Sequence, residues 1–269
     1  MLLSVDHTTL YRYDVPVRGV VQSHRLTPSK FDGQKVLEWE VTVSGGKIGG
    51  GFRDGAGDWV QGWSVARPVS EIEVRVRGRV ETTDLAGVLR GHKEVAPPFA
   101  YLRETVPTRG SDGLRALGQN LLTANDLLAG CHALSAEVSD RIRYSPGTTH
   151  AHTTAADALE QGEGVCQDHA HAVIAAARAA GIPARYVAGY LQADESGASH
   201  EASHAWAEIF VQGIGWIGFD PTNRCCPDAR YIRLGSGLDA QDAAPIRGIS
   251  RGIGTESLEV TVAVQLQEQ

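Results

Sequence analysis

The chain has 269 residues, 42% of them hydrophobic and 21% charged, with a formal net charge of −7 and a sequence pI near 5.8. That composition supports one large globular domain or two smaller ones. It lacks the basic stripe with interleaved aromatics that a nucleic-acid surface needs, so nucleic acid is excluded as an expected partner.

The N-terminal stretch MLLSVDHTTLYRYDV has no basic leader and no long apolar run. No segment approaches the roughly 18 apolar residues of a membrane span. The expectation is a soluble, cytoplasmic protein with no membrane partner. The four cysteines, Cys131, Cys166, Cys225 and Cys226, make no disulfide framework for a chain of this length. A reducing compartment fits them.

The first hundred residues read as strands. In SEIEVRVRGRVETT, Ile72, Val74, Val76 and Val80 share one face, and Glu71, Glu73, Arg75, Arg77 and Arg79 the other. Period two with one wet face predicts an antiparallel strand. VLEWEVTV (36–43) alternates in the same way. Gly45-Gly46, the run Gly49 to Gly51 and Asp54-Gly55 read as turns. Short strands punctuated like this predict a β-sandwich over 1–105.

After Pro107 the apolar period lengthens. Leu114, Leu117 and Leu121 start a helical stripe, and Leu127, Cys131, Leu134, Val138 and Ile142 continue one, with a break at Thr123 to Asp126. Thr153 or Thr154 is placed to cap a short helix ending near Glu160. A further helix begins at Cys166, marked by Ala170, Val173, Ile174 and Ala177. Gly181 stands where a left-handed cap belongs, with Pro183 beyond it. ARYVAGYLQ, HAWAEIFV and GWIGFD then predict three strands, the last two joined by a tight turn at 212–215. Helices followed by a small antiparallel sheet give an α+β unit over 106–235. The stretch from about 235 to 255 reads as a loop. LEVTVAVQL alternates like the N-terminal strands, so the segment 236–269 is expected to return to the sandwich.

The chemistry gathers in three blocks. In GEGVCQDHAH (162–171), Gly162 and Gly164 form a tight loop and Cys166 is the first helical residue. A thiol there faces unpaired N–H groups and the positive helix end, which favour thiolate. The same N–H groups can hold an oxyanion. A thiol nucleophile also needs a base and an orienter. His204 opens one strand of a hairpin and Asp220 closes the other, and hairpin geometry puts a strand's start beside its neighbour's end. Cys166, His204 and Asp220 therefore form a candidate catalytic triad.

These blocks, GEGVCQDHAHAVIAAARAAGIPARYVAGYL and HAWAEIFVQGIGWIGFDPTN, resemble the bacterial transglutaminase-like family, of papain-like cysteine hydrolase fold. HTTLYRYDVPV and RLTPS resemble the β-rich domain that often precedes it. The resemblance implies Cys166 as nucleophile, His204 as base and Asp220 as orienter. In animal transglutaminases an aromatic residue upstream of the cysteine helps hold the oxyanion, and Tyr144 is the nearest counterpart. The calcium loops and added C-terminal domains of those enzymes are not evident, which favours hydrolysis of an amide or peptide bond over amine transfer. No cofactor or metal is implied, and the expected partner is a peptide or protein amide substrate.

Other residues carry quieter readings. Gly164, Asp168 and Trp206 are expected to support the site. Asp168 and His171 suit structural roles in the helix, and His169 is the position expected to be exposed. Trp206 and Trp216 read as core or cleft walls, Cys131 as core, and Cys225-Cys226 as turn residues. His200-Glu201-Ala202-Ser203-His204 matches the H-E-x-x-H zinc-protease pattern, with His150 or His152 as further ligands. Its flanks are a loop and a strand, whereas that motif needs a helix. A zinc peptidase and a non-catalytic binding module are the remaining alternatives. The β-rich edges leave a homo-oligomer open.

Overall fold

The computed structural model describes residues 1–192 and 203–267. Strands β1 (Leu2–Val17), β2 (Val20–His24), β3 (Gln34–Val43), β4 (Lys47–Arg53), β5 (Trp59–Val65) and β6 (Val69–Thr82) come first. A 3-10 turn at Pro98–Leu102 leads to helices α1 (Asp112–Thr123) and α2 (Leu127–Arg141). Two-residue strands β7 (Arg143–Tyr144) and β8 (Glu163–Gly164) flank α3 (Ala155–Gln161), and α4 (Cys166–Ala179) follows. The remainder is β9 (Ala184–Leu191), β10 (Ser203–Val211), β11 (Gly215–Phe219), β12 (Tyr231–Gly237), β13 (Ile246–Ser250) and β14 (Glu256–Leu266). The architecture is α+β, as the patterning predicts.

Two antiparallel sheets, ordered β14-β1-β6-β3 and β13-β2-β5-β4, make the sandwich. Ile72, Val74, Val76 and Val80 of β6 point into its core with Leu3, Val5, Val20 and Val65. Arg75 and Arg77 turn outward onto Asp6, and Arg79 onto Glu38. The C-terminal strand returns as its alternation predicts: β14 pairs antiparallel with β1 from Leu3↔Leu266 to Tyr13↔Glu256, without a bulge.

The third sheet, β11-β10-β9-β12, is antiparallel and carries the helices on one face. Its other face meets the sandwich, because Tyr190 of β9 and Ile232 and Leu234 of β12 belong to the sandwich core. Side-chain caps set the helix starts: Ser111 accepts from Leu114 N (3.3 Å), Asp126 from Ala129 N (3.1 Å) and Thr154 from Asp157 N (3.2 Å). The break between α1 and α2 falls where the sequence places it, and Gly181 takes φ +74° after α4. Helix α4 is buried on every side from Asp168 to Arg178. Its alanines let α1 and β10 approach closely.

Two expectations fail. The stretch 235–255 is not a loop, since it contains the end of β12 and all of β13. Every residue of β12 is buried, Arg233 and Ser236 included, so the strand shows no alternation. β13 is a short exposed edge strand with little apolar signal. Likewise Gly49 to Gly51 lie within β4 and not in a turn, at a register shift between Ile48 and Gly51.

A buried chain of charges ties the sandwich to the third sheet. Arg233 donates to Glu208 (2.8 Å) and to Asp58 (2.8 Å), and Arg185 donates to Glu208 (2.7 Å) and Glu94 (2.5 Å). Ser29 and Ser236 complete Asp58. Every charge has a partner, which is the condition under which buried ions are tolerated.

Candidate active site

The site is assembled where α4 begins. Asp168 Oδ2 accepts from Val165 N (2.8 Å) and from Thr149 Oγ1 (2.6 Å). This reach-back fixes the residue before Cys166 and makes the cysteine the first residue of the helix. Gly164 makes that loop fit, because a Cβ there would stand 2.8 Å from Asp168 Cβ. Asp168 and Gly164 thus act through the backbone that presents Cys166. The thiol is partly exposed. By helix geometry the N–H groups of Cys166 and Gln167 have no acceptor in the preceding turn.

His204 lies near the start of β10, paired with Gly189 of β9. Its Nε2–H donates to Asp220 Oδ2 at 2.6 Å. That leaves Nδ1 to face the Cys166 thiol, which shares the cavity and is close enough to favour the charged ring. Asp220 follows β11 and is fully buried. The same Oδ2 also accepts from Asn223 Nδ2 (2.7 Å) and Tyr231 OH (2.8 Å), and Oδ1 accepts from Asn223 N (3.2 Å). Burial pushes Asp220 up, but His204, Asn223 and Tyr231 hold it below the ordinary carboxylate range. Burial alone would push the His204 ring down. The bond to Asp220 and the nearby thiol outweigh it and lift the ring to about 10.

Cys166 and His204 open onto one cavity of about 620 Å³, walled also by Gln167, Tyr186 and residues 260–262 of β14. Trp206 is buried behind the histidine, its ring 6.5 Å from the imidazole and nearly parallel, with Tyr231 edge-on at 5.6 Å. Tyr144 stands opposite Gly164 in the β7–β8 pair, is 41% exposed and does not line the cavity.

The neighbouring residues sort differently from expectation in one case. His169 is buried, not exposed: Nε2–H donates to Ile142 O (2.7 Å), and Nδ1 accepts from Thr222 Oγ1 (2.8 Å). It pins α4 to the end of α2 and to the loop after Asp220. An exposed histidine has no place on a helix enclosed all round. His171 is buried, and its Nε2 accepts from Ala240 N (3.0 Å). Trp216 sits in the charge cluster, donating to Glu94 and covering Arg185 with its ring at 4.0 Å. Cys131 is buried among the helices. Cys225 and Cys226 follow the Asp220 turn, and Cys225 Sγ lies 3.3 Å from Tyr231 OH.

His200, Glu201 and Ala202 of the H-E-x-x-H pattern lie outside the described residues. Ser203 and His204 belong to a strand, and His204 Nε2 is committed to Asp220. Among the described residues no three His, Cys, Asp or Glu side chains cluster as metal ligands.

Asn223 and Tyr231 were not foreseen as parts of the site. Asn223 had a signal, since an Asp-Pro-Thr-Asn turn brings its backbone N–H back to Asp220. Tyr231 had none, because it arrives on the strand that sequence patterning did not reveal.

Comparison with known proteins adds the following. The model of the transglutaminase-like superfamily matches residues 115–221, and that of the bacterial transglutaminase-like N-terminal region matches residues 3–81. An uncharacterized protein of Mycobacterium leprae is 32% identical over 97% of this chain and 98% of its own. A Pseudomonas aeruginosa protein-glutamine gamma-glutamyltransferase is 32% identical over 54% of this chain, which spans only 23% of that protein. A crystal structure from Cytophaga hutchinsonii, provisionally assigned as a cysteine protease, superposes with a TM-score of 0.75 at 22% identity, covering 100% of this chain and 92% of that one.

Proposed function

The chain belongs to the transglutaminase-like superfamily, and from that premise we propose that it performs thiol-dependent acyl chemistry on amide bonds, ending in hydrolysis. The observation that carries the reading is the 2.6 Å bond from His204 Nε2 to buried Asp220, with His204 sharing a cavity with Cys166 at a helix start.

Cys166 thiolate attacks the amide carbonyl carbon, and a carbon–sulfur bond forms. The oxygen gains negative charge and is held by the N–H groups of Cys166 and Gln167. His204 gives its Nδ1 proton to the leaving amine as the carbon–nitrogen bond breaks. Water then attacks the thioester, His204 takes its proton, and the carbon–sulfur bond breaks to release the acid and restore the Cys166 thiolate beside charged His204. Asp220 keeps the ring oriented and favours its charged form. The scheme assigns no step to Tyr144 and uses no metal or cofactor.

Alkylation by iodoacetamide across pH, with peptide mapping, tests the thiol. Labelling of Cys166 faster than that of Cys131, Cys225 and Cys226, whose thiols burial pushes up, and slowed by His204→Ala, is expected. Labelling no faster than Cys131 would overturn the reading and favour a binding module, and bound zinc would favour the metallopeptidase. Incubation with casein and a dansylated amine tests the outcome. New peptide N-termini mean a peptidase, ammonia without cleavage means an amidase, and amine incorporation means a transferase. The Pseudomonas relative's name favours the last as the second reading.

No helix among the described residues is long and apolar enough to cross a membrane. The four unbridged cysteines support a cytoplasmic location, which cell fractionation tests.

A further inference from the structure

Strand β14 is an edge: in the order β14-β1-β6-β3, no strand among the described residues pairs with its outer side. Natural edges of this length are blunted by charged side chains, Lys above all, by Pro or by a bulge. β14 has no Lys or Pro, its two acids Glu256 and Glu259 are engaged by Tyr13 and Arg12 of β1, and its pairing with β1 runs over eleven residues without a register shift. The strand also walls the cavity that holds Cys166 and His204, and three consecutive residues do so, Val260, Thr261 and Val262. Side chains alternate between faces along a strand. A cavity that touches three residues in a row therefore runs along the strand's edge, where unpaired backbone groups stand, and not merely over one face.

The side chains continue the same picture. Val262 and Val264 are buried in the sandwich core, whereas Leu258 and Val260, on the same face, are 57% and 48% exposed. The apolar row runs out of the core and into the cavity beside the thiol.

We propose that the polypeptide substrate docks in extended form as an added strand on the outer edge of β14, with an apolar side chain against Val260, so that its next amide bond lies before Cys166. This rests on the acyl chemistry proposed above and names its substrate class: an unfolded or extended segment with an apolar residue near the scissile bond. Main-chain hydrogen bonds to β14 supply affinity and alternate side chains supply selectivity.

The test compares two labels on the whole protein. Iodoacetamide reads the thiol alone. An acetylated tetrapeptide chloromethyl ketone with valine and leucine side chains reads docking as well. Val260→Asp should lower the ratio of peptidyl to iodoacetamide labelling by about tenfold, the scale of one lost valine contact. Val21→Asp, on the exposed face of β2, should leave that ratio unchanged. N-methylation of the probe, one amide at a time, should slow labelling at alternate positions only. In parallel, hydrogen exchange of the Cys166→Ala protein with the corresponding unreactive tetrapeptide amide should show new protection within residues 256–266. An unchanged ratio, N-methyl effects without period two, or no protection of β14 overturns the proposal. Protection of β14 without peptide, together with a dimer by light scattering, overturns it in favour of a second copy on that edge. If iodoacetamide fails to single out Cys166, the acyl reading falls, while the exchange experiment still decides docking.

Discussion

Asp220 Oδ2 accepts from three donors at once, and this crowding sets what His204 can do. With the ring lifted to about 10, the histidine stays charged through neutral pH. The expected rate profile for Cys166 alkylation then loses its ion-pair character only on the alkaline side, as His204 gives up its proton near that value. Asp220→Asn removes the carboxylate and leaves burial, which pushes the ring down, opposed by the thiol alone. His204 then holds its proton less firmly, and iodoacetamide labelling at pH 6 should slow by about tenfold. An unchanged profile would show that Asp220 does not govern the ring. Tyr231→Phe removes one neutral donor, a change of about 1 kcal/mol, and should slow peptidyl labelling several-fold without altering the far-UV spectrum. The candidate triad was legible because each member stands in its own block: Cys166 after a glycine loop, His204 and Asp220 at the ends of a hairpin. Their supports were less so. A tyrosine that completes a carboxylate from a separate strand looks, in sequence, like any strand tyrosine.

Helix α4 and the loop before it depend on one close approach. Gly164→Ala would put a methyl group 2.8 Å from Asp168 Cβ, so the loop or the carboxylate must move. A loss of about 1–3 kcal/mol in urea unfolding is expected, with slower labelling of Cys166 in the folded protein. If stability and labelling match the parent, the loop is more pliant than its packing suggests. Elements with one wet face were readable from their period: β6 and β14 by two, and the stripes of α1 and α2 by three and four. The enclosed strands β9, β10 and β11 were readable from their apolar and β-branched runs between turn signals, whereas β12 and β13 were not. β12 is enclosed, with Arg233 and Ser236 satisfied internally, so polar letters occur where a core strand is expected to have none. β13 is short and exposed. The enclosure of α4 likewise hid the fate of His169, whose two nitrogens find Ile142 and Thr222 only once the fold exists.

Across the whole molecule, the chain Asp58–Arg233–Glu208–Arg185–Glu94 fastens the sandwich to the third sheet. Burial pushes Glu208 up, but Arg233 and Arg185 overcome it and hold the carboxyl at about 2. Its folded value lies below its ordinary one, so its stabilisation is present above about pH 4.5 and drains away as pH falls toward 2. Unfolding midpoints in urea should drop across that window. Glu208→Gln should flatten the drop, and an equally steep curve in that variant would remove Glu208 from the account. Arg233→Met leaves two buried carboxylates short of a partner and should cost about 3–5 kcal/mol. The pairing of β1 with β14 has a consequence of a different kind, in time. Its partners are nowhere closer in sequence than Tyr13 and Glu256, 243 residues apart, and contacts so distant in sequence form late. On the ribosome, a nascent chain carries Cys166, His204 and Asp220 long before residues 256–266 emerge. Until then β1 is itself an open edge, inviting chaperones or a neighbouring chain. The pairing of β14 closes that edge and raises a wall of the cavity in the same step, so the thiol gains its enclosure only as the sandwich becomes complete.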